Sequence, residues 1–126
     1  PLNEKLYDFV AKKSALDDRA YEVERMESRM IMDGQSMDMV EKEINAEREK
    51  LSKEMDELVK TFIQDNYHNV LGPGVFLMVC NSFPYPLLTP LLEEIIDKAP
   101  ESFKNHELVK EYLEAARENM EALNER

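Results

Sequence analysis

Residue types that often carry chemistry are scarce in this sequence. Tryptophan is absent, glycine occurs only at positions 34, 72 and 74, and Cys80 is the one cysteine. A single cysteine excludes an internal disulfide, a CxxC redox pair and a cysteine-based zinc site. The abundant residues are Glu, Lys, Leu, Met and Ala, which favour helices. We therefore predict a helical chain without a thiol pair of its own.

Basic side chains are also few: 16 Lys and Arg stand against 27 Asp and Glu, for a net charge of −11. Nucleic-acid affinity rests on clustered Lys and Arg that displace counterions, so we expect no nucleic-acid partner. A length of 126 residues has room for one domain with one core. Because Pro1 stands where an initiator Met would, we predict that residues 1–126 form a single helical domain excised from a larger multidomain protein.

The segment Val70 to Leu92 has no charged side chain. It is long enough to cross a bilayer, for which about 20 residues are needed. However, its four prolines and two glycines would interrupt backbone hydrogen bonds that hydrocarbon cannot replace. We therefore predict that this segment is a packing layer of a helical domain and that this chain has no membrane span. Burial of each large apolar side chain would stabilise the fold by roughly 1.5 to 3 kcal/mol.

Turn residues divide this segment into shorter pieces. Residues 71–74, Leu-Gly-Pro-Gly, are predicted to end the preceding helix and turn the chain. Residues 75–81 are predicted to form a short buried helix, with a buried strand as the alternative, because short apolar runs suit both. Thr89 before Pro90 has the pattern of an N-cap, which opens a helix through Asp97 or Lys98; the proline at position 100 closes it.

Long helical patterns flank the charge-free segment. We predict one helix from Asn3 to about Met32, ended by Asp33-Gly34, and a second from Met37 to about Asn66 with Ser36 as its N-cap. The two would form an antiparallel hairpin roughly 40 to 45 Å long at 1.5 Å per residue. A last helix is predicted from His106 to Ala122 or Leu123, capped by Asn105.

The spacing of apolar residues predicts one buried face on each long helix. On the first helix the face consists of Leu6, Phe9, Val10, Leu16, Val23, Met26 and Met30, and on the second of Val40, Ile44, Leu51, Met55, Leu58, Val59, Phe62 and Ile63. On the last helix it consists of Leu108, Val109, Tyr112, Leu113, Ala116, Met120 and Leu123. The predicted fold is all-α: a long antiparallel hairpin packed with about three further helices in an irregular bundle.

Candidate chemical residues are few, and each has a structural interpretation. His68 lies at a predicted helix end, where an imidazole can bond terminal carbonyls; this is favoured over a ligand or a base. His106, near a helix start, is predicted to be solvated. Cys80 is predicted to be a buried core thiol, although a nucleophile with a base beside it is the alternative. No catalytic, cofactor-binding or metal-binding residue is predicted, and no cofactor.

Five of the eight methionines lie near Gly34, at the tip of the predicted hairpin: Met26, Met30, Met32, Met37 and Met39. Such a cluster is typical of loose packing at a fraying tip, and also of an adaptable surface that binds partner proteins. Loose packing is the favoured interpretation of the sequence, and a partner site remains open.

Three stretches of the chain resemble a known family. These are "PLNEKLYDF" at the start, "LSKEMDELVKTFIQDNYHNVLGPGVFLM" in the middle and "LLTPLLEEIIDKAPESFKNHELVKEYLE" near the end. Together they are similar to the helical middle segment of AhpC/TSA thioredoxin-like envelope proteins of the TlpA/ResA type. These thiol-disulfide oxidoreductases carry an N-terminal β domain, a helical segment and a C-terminal thioredoxin domain.

The resemblance implies a non-catalytic accessory or spacer domain, which acts through domain orientation, dimerisation or contact with a client protein. Its partners would be the thioredoxin and β domains of the parent chain, in the periplasm or cell envelope. The family's cysteine pair belongs to the thioredoxin domain, so Cys80 inherits no role from it. The alternatives are a free-standing acidic protein-interaction module and, last, an enzyme that uses Cys80 or His68.

Overall fold

A computed structural model describes residues 1–124 as six α-helices without a strand. The helices are α1 (Leu2–Met32), α2 (Met37–Asp65), α3 (Leu71–Cys80), α4 (Pro90–Asp97), α5 (Glu101–Lys104) and α6 (Glu107–Asn124). The predicted all-α class and the long helical hairpin are confirmed. Residues 75–81 fall in α3 and its C-cap, so the helix predicted there is confirmed and the strand alternative is wrong.

The contacts divide the chain into two compact units, Pro1–Leu58 and Val59–Arg126. The division falls inside α2, whose last turns belong to the second unit. The first unit therefore contains α1 and most of α2, and the second contains the end of α2 with the four shorter helices.

In the first unit, α1 and α2 run antiparallel. Arg19 pairs with Glu54 at 2.8 Å and Arg48 pairs with Glu27 at 3.3 Å, so a later residue of α1 meets an earlier residue of α2. Such exposed pairs contribute about 0 to 1 kcal/mol each. Apolar burial holds the hairpin together, and its core consists of Val23, Met30, Val40, Ile44 and Leu51, with the half-buried Leu16 and Met26 packed against them.

Backbone hydrogen bonds and a side-chain cap order the turn between α1 and α2. Gly34 has a φ of 79°, the left-handed conformation that glycine adopts without a Cβ penalty. Its N–H donates to the carbonyl of Ile31 at 3.0 Å, and the N–H of Gln35 donates to the carbonyl of Met30 at 3.2 Å. This pair of bonds is the Schellman motif. Ser36 then caps α2, accepting from the N–H of Met39 at 3.3 Å, as predicted.

The second unit has an aromatic centre. Phe76 of α3 and Phe103 of α5 are both buried, with ring centroids 5.4 Å apart and planes at 80°. Tyr67 packs edge-on against Phe103 at 5.0 Å, and Tyr112 of α6 packs edge-on against Phe76 at 6.4 Å. Other fully buried side chains of this unit include Leu92, Ile95 and Val109. The predicted packing role of the charge-free segment is borne out for Phe76.

The corner between α2 and α3 is made by asparagines rather than by the Leu-Gly-Pro-Gly sequence. Asn66 is buried and donates from Nδ2 to the carbonyl of Phe62 at 2.7 Å, while Asn69 Nδ2 donates to Asn66 Oδ1 at 2.8 Å. Asn69 Oδ1 in turn accepts from the N–H of Leu71 at 2.9 Å. The prediction that residues 71–74 end a helix is therefore wrong. They form the first turn of α3, where Pro73 needs no N–H.

Helices α4 to α6 follow the predicted order with two corrections. Thr89 caps α4 by accepting from the N–H of Leu92 at 3.3 Å, and Pro90 is its first residue, as predicted. Pro100 is the N-cap of α5, a helix of four residues. This helix was not among the five that were predicted. Asn105 is the C-cap of α5, so the prediction that it caps the last helix is wrong. The residue before α6 is His106.

The buried residues of the three long helices all lie on the predicted faces, and most of the other predicted positions are half-buried. Phe9, Val23 and Met30 on α1, and Val109, Leu113 and Ala116 on α6, are buried. Three predictions are wrong, because Val10 is 50% exposed and Leu108 and Leu123 are each 54% exposed. Val10 and Leu108 lie at the edges of their stripes, whereas Leu123 lies on the stripe but in the last turn of α6. Among the described residues, no helix combines the length and the apolarity that a membrane crossing needs.

Candidate functional site

Cys80 lies at the C-terminal end of α3 and is 2% exposed. Burial raises the pKa of its thiol to about 12, although a hydrogen bond with Tyr112 acts in the opposite direction. A nucleophilic or exchanging cysteine needs a thiolate and access to its substrate. Near neutral pH, Cys80 is neither a thiolate nor accessible. The prediction that it is a buried core thiol is confirmed.

Tyr112 connects Cys80 to the loop before α4. Its hydroxyl donates to the carbonyl of Leu87 at 2.7 Å and accepts from the N–H of Leu87 at 3.0 Å. Nearby, Asn119 Nδ2 donates to the carbonyl of Pro86 at 2.9 Å. Burial raises the pKa of Tyr112. The loop is therefore tied to α6 by three hydrogen bonds, a role that sequence spacing did not predict because 25 positions separate Tyr112 from Leu87.

Both histidines line one open groove of about 650 Å³ in the second unit. His68 and His106 are exposed, and the apolar side chains of the groove include Val70, Leu77 and Leu108. The expected solvation of His106 is confirmed. The helix-end bonds predicted for His68 are made by Asn66 instead.

This groove brings His68 and His106 together but leaves out Cys80. Cys80 is not among its lining residues, so the structure does not pair that thiol with His68. Within residues 1–124, no cluster of three or more His, Cys, Asp or Glu side chains is placed to hold a metal ion. The presence of His68 and His106 in one groove was not predicted, since they lie far apart in sequence and their spacing matches no motif.

The clearest exposed apolar cluster of the first unit surrounds the hairpin turn. We call it the tip surface and define it by four side chains: Ile31 (47% exposed), Met32 (85%), Met37 (56%) and Met39 (55%). Met30 and Val40, their immediate neighbours, point into the core and are 7% and 1% exposed. Single exposed apolar residues are ordinary, whereas four exposed within nine positions concentrate apolar surface at the hairpin turn.

Acidic side chains outnumber basic ones around the tip surface. From position 29 to position 42 the acidic side chains are Asp33, Asp38 and Glu41, and the basic ones are Arg29 and Lys42 at the two ends. The ion pairs that join α1 to α2 lie farther along the hairpin, at Arg48–Glu27 and Arg19–Glu54. The tip surface is thus apolar and acidic.

Taken together, the geometry defines an all-α chain with an inaccessible thiol, an open groove and an exposed apolar tip. Comparison with known proteins adds no relative, since no protein-family model, no curated protein and no solved structure matches this chain.

Proposed function

We propose that this chain is a non-catalytic helical accessory or spacer domain of a thioredoxin-like thiol-disulfide oxidoreductase of the cell envelope. It acts through domain orientation, dimerisation or contact with a client protein. The thioredoxin and β domains of the parent chain are its neighbours, and the parent supplies the redox chemistry.

The observation that carries this proposal is the state of Cys80. Disulfide exchange requires an accessible thiolate that attacks a disulfide sulfur. Cys80 is 2% exposed, and burial raises the pKa of its thiol to about 12. Its side chain instead contributes to packing and bonds with Tyr112. A parent oxidoreductase would therefore need an exchanging pair outside the described residues, as the resemblance implies.

The experiment is to read the gene on both sides of this chain and to assay the full-length parent. A β-rich region upstream and a thioredoxin CxxC downstream would support the accessory role. Reduction of a protein disulfide by the parent should then survive Cys80→Ala and disappear when the downstream cysteines become serine. A reading frame that stops at both edges of this chain, or loss of activity in a folded Cys80→Ala parent, would contradict the proposal.

A free-standing acidic protein-interaction module is the second candidate function. The tip surface favours it, because exposed methionines on a fixed backbone are typical of adaptable binding surfaces. A reading frame confined to this chain would support this candidate.

A further inference from the structure

We infer that the tip surface binds a basic amphipathic helix of a partner protein. The inference deepens the interaction role given under Proposed function and holds for either parentage, because it concerns residues of the first unit only. The occupant is defined by its chemistry: an apolar face that covers the methionines and Lys or Arg side chains that meet the surrounding carboxylates.

Hydrogen bonds order the backbone beneath the tip surface. The two bonds of the Schellman motif and the Ser36 cap satisfy backbone groups on both sides of Gly34. Met30 and Val40 anchor the two helix ends in the core. A fraying tip would lack these bonds. The exposed methionines therefore lie on a preorganised turn, and binding would cost little ordering of the backbone.

The exposed side chains of the tip surface are mainly methionines. Methionine is unbranched and polarisable, so it adapts to partner surfaces of different shape. Met32 has 85% of its surface exposed, more than any other large apolar residue described as exposed. Burial of apolar surface stabilises a complex by roughly 25 cal/mol for each Å². An amphipathic helix offers an apolar stripe of matching character.

Charge decides between the possible occupants. Asp33, Asp38 and Glu41 lie next to the apolar side chains in the sequence and outnumber Arg29 and Lys42, and the whole chain has a net charge of −11. A basic partner is attracted and oriented by this field. A second copy of the chain would bring like charges together at the same place, and anionic lipid would be repelled for the same reason. The basic helix is therefore the occupant that the charges favour.

The test uses a synthetic peptide of about 18 residues, roughly five helical turns, made of Leu and Lys at amphipathic spacing with one Trp. Because this chain contains no tryptophan, the emission of the peptide alone reports binding. We expect a saturable blue shift with the whole chain. The same peptide with Glu in place of Lys should bind at least about tenfold more weakly, a difference of 1.4 kcal/mol.

Two pairs of variants locate the site. The variant M32S/M37S/M39S should weaken binding at least about tenfold. Its matched control, V70S/M78S/L108S, removes three exposed apolar side chains of the second unit and should leave the affinity within about twofold. The variant D33N/D38N/E41Q should weaken binding in dilute salt and match the wild type near 1 M salt, where the Debye length is about 3 Å. Its control is E111Q/E114Q/E118Q on α6.

Three results would overturn the inference. One is equal weakening by the tip variants and their controls, which would mean general attraction to an acidic protein. Another is equal affinity for the Lys and Glu peptides. The third is a wild-type dimer in sedimentation that M32S/M37S/M39S abolishes, since the occupant would then be a second copy. Circular dichroism of each variant verifies folding. The gene-context experiment is independent, so the tip inference and the accessory role can fail separately.

Discussion

Gly72 should tolerate no side chain, although it lies inside a helix. A Cβ built there would overlap the carbonyl oxygen of Asn66 and lie 2.8 Å from its carbonyl carbon and 3.3 Å from the Cα of Tyr67. All three are backbone atoms of the asparagine corner, so no flexible side chain can move aside. Overpacking of this kind costs about 1 to 3 kcal/mol or more, partly offset by the 0.5 to 1 kcal/mol that Ala gains over Gly in a helix.

Gly74 is the matched control, two positions along the same helix. A Cβ there meets nothing within 4 Å, and its φ is not positive. Gly74→Ala should therefore stabilise the protein by about 0.5 to 1 kcal/mol. We expect Gly72→Ala to lower the free energy of unfolding by about 1 to 3 kcal/mol, so the two variants differ by roughly 1.5 to 4 kcal/mol.

Urea denaturation followed by circular dichroism measures both values, and unchanged slopes would show that the unfolded state is the same. If both variants shift stability in the same direction, the close approach of Gly72 to the Asn66 carbonyl is wrong.

Four further predictions concern the core of the second unit. Phe76→Ala should cost about 3 to 5 kcal/mol, because its ring is fully buried, whereas Tyr85→Ala at an exposed site should cost under about 0.5; a loss below about 1 for Phe76 in denaturant unfolding would contradict its core position. Tyr112→Phe removes the hydroxyl that ties down the loop and should cost about 1 to 2 kcal/mol, while the exposed Tyr21→Phe changes nothing measurable; equal stabilities would rule out the loop contact. Cys80 should resist alkylation until denaturant unfolds the chain, and rapid labelling of the native state would contradict its burial. Burial raises the pKa of the Cys80 thiol from 9.0 to about 12, so the thiol of the unfolded chain ionises at lower pH than that of the folded chain. The stability advantage of wild type over Cys80→Ala should therefore be complete below pH 9 and shrink as the pH rises towards 12.

Apolar periodicity and capping residues predicted most of the fold. The hairpin follows from two long amphipathic patterns separated by Gly34, and Thr89 with Pro90 marks the start of α4 correctly. These signals are local, since a cap bonds within its own first turn and a stripe repeats every few residues.

The corner at Asn66 could not be predicted in the same way. Gly and Pro usually mark turns, so the Leu-Gly-Pro-Gly sequence resembles the end of a helix. In the structure, the side chains of Asn66 and Asn69 satisfy the turn, and Gly72 is required by close approach rather than by a positive φ. The shared groove of His68 and His106 depends on packing between elements that lie far apart in sequence.

The same exposure that makes Met32, Met37 and Met39 available also leaves their thioethers open to oxidants. Methionine sulfoxide is polar and chiral, so peroxide would convert the apolar tip into a hydrophilic one while Met30, 7% exposed, is shielded. Peroxide should therefore oxidise Met32, Met37 and Met39 before Met30, and peptide mass spectrometry would resolve this order. In a preparation aged in air, the tip surface would become polar before the chain unfolds.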